Sequence, residues 1–165
     1  MTDQEVVIEL QEKELQKRTI PEQYGYDEGL YLVQYIYQPL AKNQVLLEND
    51  SVRISLINAN KRDDGRGKDY SISYTGYVLI ENLSSSPLTA KSGKFYVNDI
   101  EFGSSNTTTI PEKTKVYKSF CVYEYDFSKY NINSIDKMEF DLNVWYNYSN
   151  DKEADFSKLS PIIMN

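Results

Sequence analysis

Whatever chemistry this chain performs must be done without histidine. None occurs in its 165 residues, and there is one cysteine, Cys121. A His-dependent triad, an imidazole general base, a Cys/His zinc site and an internal disulfide are therefore excluded. The residues that remain for acid–base work are carboxylates on expected strands: Glu81, Glu101, Glu124, Glu139 and Asp141. Two of them at short separation would suit glycoside hydrolysis. On strands that alternate inward apolar with outward acidic residues, however, the expected reading is a solvated outer face.

Other candidates are weaker. Ser84, Ser85 and Ser86 sit in a turn, where serine belongs for local hydrogen-bonding reasons, and no imidazole is present to activate them. Asp63, Asp64 and Asp69 lack the spacing of an EF-hand loop, and the neighbouring Lys61, Arg62, Arg66 and Lys68 would repel a cation. Arg66-Gly-Lys68 lacks the rest of a phosphate loop. Cys121 lies in the apolar run Tyr-Lys-Ser-Phe-Cys-Val-Tyr at residues 117–123 and is read as a buried, inert thiol. The reading is a non-enzymatic chain with no catalytic, cofactor-binding or metal-binding residues and no cofactor.

Charge narrows the partners. Of the net −7, −6 lies in residues 1–50, with ten acidic residues against four basic. Without a basic surplus to neutralise phosphates, nucleic acid is disfavoured. No apolar stretch is long enough to cross a bilayer as a helix, so direct membrane insertion is not expected. Met1 is followed by Thr-Asp-Gln-Glu, not by a basic and then apolar leader. The expected location is the cell surface or outside the cell if an export leader has been removed, and the cytoplasm otherwise.

The elements that would position these residues are mostly strands. Fifteen tyrosines and six phenylalanines in one chain favour strands over helices. Residues 4–18 are read as a helix, on the spacing of Glu9 with Lys13 and of Glu14 with Arg18; the alternation of Val6, Ile8 and Leu10 leaves a strand as the alternative. A tyrosine-rich strand is expected over residues 30–37, stopped by Pro39. A hairpin follows over residues 44–57, turning at Asn49-Asp50, and then a solvated loop over 58–69. Residues 70–102 read as a long strand, a Ser/Pro turn and a second extended run, one hairpin that bends across two sheets, with a bend or bulge at Gly76. Residues 103–111 read as a polar stretch and 116–125 as a strand. Residues 126–137 read as a loop with a helical turn, and 138–145 as a strand with Met138, Phe140, Leu142 and Val144 inward. A short edge strand begins near Pro161. Short strands at regular spacing predict an all-β, antiparallel β-sandwich over residues 42–165, with residues 1–41 as an N-terminal extension.

From about residue 42 the order of features resembles a family of uncharacterised immunoglobulin-like modules in the cell-envelope proteins and lipoproteins of Firmicutes. The matching runs are Val-Leu-Leu-Glu-Asn-Asp-Ser-Val-Arg-Ile-Ser at 45–55, Gly-Tyr-Val-Leu-Ile-Glu-Asn-Leu-Ser at 76–84, Tyr-Val-Asn-Asp-Ile at 96–100, Ile-Pro-Glu-Lys at 110–113 and Ile-Asn-Ser-Ile-Asp-Lys-Met-Glu-Phe at 132–140. The resemblance implies an immunoglobulin-like sandwich and a binding or spacer role in an envelope protein, and no catalytic residues.

Two functional expectations follow. One is a non-catalytic binding or spacer module that presents its loops to a protein or ligand. The other is a small acidic cytoplasmic inhibitor or immunity-type protein that binds a basic enzyme or toxin through its N-terminal acidic, tyrosine-rich segment. In either case the partner is expected to be a protein. The candidate contact residues are Tyr24, Tyr26, Asp27, Glu28, Tyr31, Tyr35 and Tyr37, because amphipathic tyrosines serve interfaces well. An exposed strand at 30–37 could also pair with a second copy, giving a homodimer through an edge strand.

Overall fold

The computed structural model describes residues 2–8, 10–11, 35–92, 94–103, 106–146 and 153–165. Eleven strands are found among them: β1 (Ile36–Ala41), β2 (Gln44–Glu48), β3 (Val52–Asp63), β4 (Ile72–Asn82), β5 (Leu88–Ser92), β6 (Phe95–Val97), β7 (Ile100–Phe102), β8 (Asn106–Ile110), β9 (Lys115–Tyr123), β10 (Met138–Trp145) and β11 (Phe156–Ile162). Helical residues 3–8 and 10–11 form α1, and Glu124–Ser128 form α2. The fold is all-β: β1, β2, β3, β4 and β9 make one sheet, and β5, β6, β7, β8, β10 and β11 the other. Every strand pairing described is antiparallel.

The clearest pattern in the sequence is also the clearest in the structure. Along β10, Met138, Phe140, Leu142 and Val144 are buried while Glu139, Asp141 and Asn143 are half-buried on the other face, as period-two alternation requires. The β2–β3 hairpin also forms as expected. Its turn is held by Asn49, whose Oδ1 accepts the backbone N–H of Ser51 (2.8 Å) and of Val52 (3.0 Å).

Several expectations are corrected. Residues 70–102 do not form one hairpin: β4 belongs to the first sheet and β5 to the second, so the Ser/Pro segment carries the chain from sheet to sheet. Asn82 fixes that crossing, its Nδ2 donating to the carbonyls of Ser86 (2.8 Å) and Ile110 (3.0 Å). Asn58–Asp63 are not loop; they continue β3, paired with β4 on one side and β1 on the other, with Asn58, Asn60 and Arg62 on the outer face and Ala59 in the core. Asn106–Ile110 form β8 against β5, a Thr-rich edge strand whose polar composition hid it. Pro39 does not end β1, because β1 lies at the edge of its sheet and a register shift between Pro39 and Ala41 absorbs the missing N–H. The strand expected over 30–37 is described from Ile36 onward; residues 30–34 lie outside the described set. Pro161 lies inside β11, again an edge strand, not at its start.

The one-residue shift assigned to Gly76 occurs on its partner. Leu56 pairs with Val78 and Asn58 with Tyr77, so Ile57 is the extra residue of a β-bulge. β4 itself alternates without a break. Tyr74, Val78 and Ile80 face the inter-sheet core, and Tyr77 and Leu79 join a second apolar cluster on the outer face with Ile57 and Val7. With apolar residues on both faces, alternation alone could not tell which face was inside.

Gly76 has a different role. It pairs with Ala59 and with Phe120, and a Cβ there would strike the carbonyl oxygen of Asn58 and lie 2.6 Å from the Phe120 ring. The glycine is therefore a seat for Phe120, which packs against Phe95 (centroids 5.6 Å apart) and Phe140 (5.1 Å) of the opposite sheet. We expect Gly76→Ala to destabilise the fold by about 2 to 3 kcal/mol through overpacking. The measurement is a urea melt, with a lower midpoint at unchanged slope; an unchanged midpoint would show that the seat has room.

Candidate binding face

Two faces of the sandwich look outward, and the one on the β1–β3–β4–β9 sheet carries the residues of interest. Its register sets four of them in a line: Tyr37 opposite Arg62, Arg62 opposite Ser73, and Ser73 opposite Tyr123. Three strand spacings separate the two tyrosines, about 14 Å. Arg62 is only 5 % exposed. Its Nε donates to Ser73 Oγ at 3.2 Å, and its guanidinium lies 4.8 Å from the centroid of the Tyr35 ring, a cation–π contact. Tyr35 in turn leans on Tyr37, with centroids 6.3 Å apart.

At the other end of the line the aromatic surface continues. Tyr70 stands edge-on to Tyr123 (5.2 Å) and tilted against Tyr125 (4.9 Å). Tyr125 also receives the Lys129 ammonium at 5.4 Å from its centroid. Tyr37, Tyr70 and Tyr125 remain 40, 54 and 36 % exposed. Tyr70 is held by its loop: Lys68 N–H donates to Ser71 Oγ (2.8 Å), and Asp64 takes two hydrogen bonds from the Arg66 guanidinium (2.9 and 2.8 Å). Burial works against ionisation of Asp64, but the hydrogen bonds from Arg66 outweigh it and leave the carboxyl below its ordinary range.

The other half of this face is covered by α1. The helix begins with a capping box: Glu5 N–H donates to Thr2 Oγ1 (3.2 Å), and Thr2 N–H donates to Glu5 Oε2 (2.6 Å). Val7 is fully buried against Ile57, Tyr77 and Leu79, with Leu10 and Tyr117 packed alongside, so the helical reading of this segment holds where it is described and Ile8 points outward. Residues 12–18 of the expected helix lie outside the described set. Gln4 Nε2 donates to the carbonyl of the bulged Ile57 at 2.8 Å. Asp3 accepts from Tyr117 Oη (2.5 Å) and from Lys115 Nζ (3.2 Å). Gln11, at the far end of α1, lines a small cleft with Tyr37, Arg62 and Cys121, so helix and tyrosine line adjoin.

Of the sequence-derived contact residues, Tyr35 and Tyr37 belong to this face, and Tyr24, Tyr26, Asp27, Glu28 and Tyr31 lie outside the described residues. Sequence reasoning missed Arg62, Tyr70, Tyr123 and Tyr125. The two-residue spacing of Tyr123 and Tyr125 was visible; the register that sets Tyr123 in line with Tyr37 was not. Cys121 is a further correction: it is exposed. Phe120 and Val122 face the core, so alternation turns the residue between them outward.

The carboxylates expected on strands are dispersed, and Glu124 is not on a strand, because β9 ends at Tyr123 and Glu124 opens α2. Glu124 accepts from Tyr74 Oη (2.9 Å) and sits 3.4 Å from Lys61; burial and this bond push the Tyr74 hydroxyl well above its ordinary value. Glu101 is paired with Lys94 at 2.8 Å, which with Tyr96 holds its carboxyl below the ordinary range, and Glu139 is 3.3 Å from Lys137. Asp141 accepts from Asn143 Nδ2 at 3.3 Å. Among the described residues no group of three or more His, Cys, Asp or Glu side chains could hold a metal. No known protein-family model and no curated protein matches the chain.

The hydrogen bond from Tyr117, aided by Lys115, holds Asp3 below its ordinary value of 3.8. The contribution of Asp3 to helix docking is therefore complete above that value and lost as pH falls through the depressed one. We expect the NMR contact between the Val7 methyls and the Tyr77 ring to weaken below about pH 4. In Asp3→Ala it should be weaker at neutral pH and lack that acid-dependent step; the same step in the variant would assign the effect to another group.

Proposed function

We propose that this chain is a non-catalytic binding module that engages a protein partner through the outer face of its β1–β3–β4–β9 sheet. The observation that carries this reading is the line from Tyr37 through Arg62 and Ser73 to Tyr123, extended by Tyr70 and Tyr125. Tyrosine and arginine are enriched at interfaces because each offers a large contact area with a polar handle and loses little rotamer freedom on binding. Here the rings are already braced against one another, which lowers the entropy cost of association. The resemblance to envelope modules supplies a setting, the binding or spacer part of a surface protein, and leaves the partner to be found.

The test is site-specific photocrosslinking in cells that produce the full chain, with a photoreactive phenylalanine analogue at Tyr37, at Tyr70, or at Leu159 on the other sheet, which is 45 % exposed. The expected result is the same covalent partner at Tyr37 and Tyr70 and none at Leu159. Equal capture at all three positions, or at none, would reject the binding face.

A further inference from the structure

A second feature adjoins the tyrosine line and shares only Tyr123 with it. Between the end of β9, α2 and the β6–β7 hairpin the surface sinks into a groove of about 260 Å³. Tyr123, Tyr130 and Cys121 line it together with Glu101, Asp126 and Lys129. Tyr130 is 53 % exposed and braced edge-on against Phe102, with centroids 5.6 Å apart and planes at 88°. Phe102 in turn packs edge-to-face against the buried Phe127 at 4.9 Å, so the exposed ring stands on a packed base. Asp126 and Lys129 are ion-paired at 3.1 Å, one helical turn apart.

The lining limits what can bind. Two carboxylates and one ammonium give no surplus of positive charge for a phosphate or another anion. The ammonium within the groove opposes a ligand cation, although tyrosine rings and carboxylates would otherwise suit one. The three charged groups of the lining are unsuited to a lipid chain. What remains is a neutral ligand that has apolar faces for the two rings and both donors and acceptors around its edge. A sugar ring has that chemistry: C–H faces to lie against tyrosine, and hydroxyls that donate to Asp126 and Glu101 and accept from Lys129. The volume falls just below the roughly 300–1,000 Å³ of pockets for drug-sized molecules, and an open groove of this size accommodates one ring of a longer chain.

We propose that this groove is a subsite for a neutral oligosaccharide, with Tyr123 and Tyr130 as its stacking walls and Asp126, Lys129 and Glu101 as its hydroxyl partners. It is separate from the protein-binding face in the residues that test it: Tyr130 lies outside the tyrosine line and Tyr37 outside the groove.

The experiment is NMR titration of the ¹⁵N-labelled full chain with three neutral hexasaccharides, of β-1,4-linked glucose, β-1,4-linked N-acetylglucosamine and α-1,4-linked glucose, and separately with choline chloride and sodium phosphate. The expected result is saturable shifts at residues 121–123 and 126–130 with at least one hexasaccharide, weakened about tenfold in Tyr130→Ala. Asp126→Asn should weaken the same binding, and both variants should keep the wild-type melting temperature. Saturation by choline or phosphate alone, shifts elsewhere on the chain, unchanged affinity in folded Tyr130→Ala, or no binding of any hexasaccharide would overturn the proposal. Crosslinking at Tyr37 and Tyr70 would be unaffected by that outcome.

Discussion

The sandwich depends on one close approach. Phe120 crosses the place where Gly76 has no side chain, and from that seat its ring reaches Phe95 and Phe140 of the facing sheet. Three phenylalanines from two sheets thus form one contact, which fixes the spacing and mutual rotation of the layers. Each aromatic pair contributes about 0.5–1.5 kcal/mol beyond the area it buries, and the geometric consequence is larger than that energy. Because β4 pairs with β3 on one side and β9 on the other, holding Phe120 over Gly76 also holds the register of the line where it crosses these three of its four strands.

The bulge at Ile57 has a complementary effect on β3. Alternation from Leu56 already turns Ile57 to the outer face with Tyr77 and Leu79, and the bulge, by placing Ile57 and Asn58 against the single residue Tyr77, shifts the phase so that Ala59 faces the core and Asn58 does not. An apolar patch of that kind needs a cover. α1 provides it with Val7, and its Gln4 satisfies the bulged carbonyl that the sheet leaves available. The outer face is therefore divided: one half is closed by the helix, and the other is polar, aromatic and open. The N-terminal residues serve the structure at Asp3, Gln4 and Val7 and border the candidate binding face at Gln11.

That division suits a chain without histidine. On the open half of the face Tyr35 leans on Tyr37 and packs against Arg62, while Tyr70 packs on Tyr123 and Tyr125 and Tyr125 meets Lys129. Glu101, Glu124, Glu139 and Asp141 are engaged by lysines or by hydroxyl and amide donors at separate places on the sandwich. Recognition by large, preorganised side chains needs neither a nucleophile nor a proton shuttle, and it fits the aromatic excess in the composition.

The residues alone determined the class of fold and the limits of the chemistry. Strict alternation along Met138–Trp145, the Asn49 turn and the tyrosine-rich composition are local signals, and local physics suffices to read them. The absence of histidine and the presence of one cysteine bound the chemistry before any folding is considered. Tertiary structure decided the rest, because it depended on partners distant in sequence. The face of β4 that lies inside is chosen by what packs on each side, since both faces are apolar. Whether the polar stretches 58–63 and 106–110 are loop or strand is chosen by the neighbours that pair with them. Cys121 is exposed because Phe120 and Val122 took the core. The line joining Tyr37 to Tyr123 exists only through the register of four strands, a relation that no short window of sequence contains.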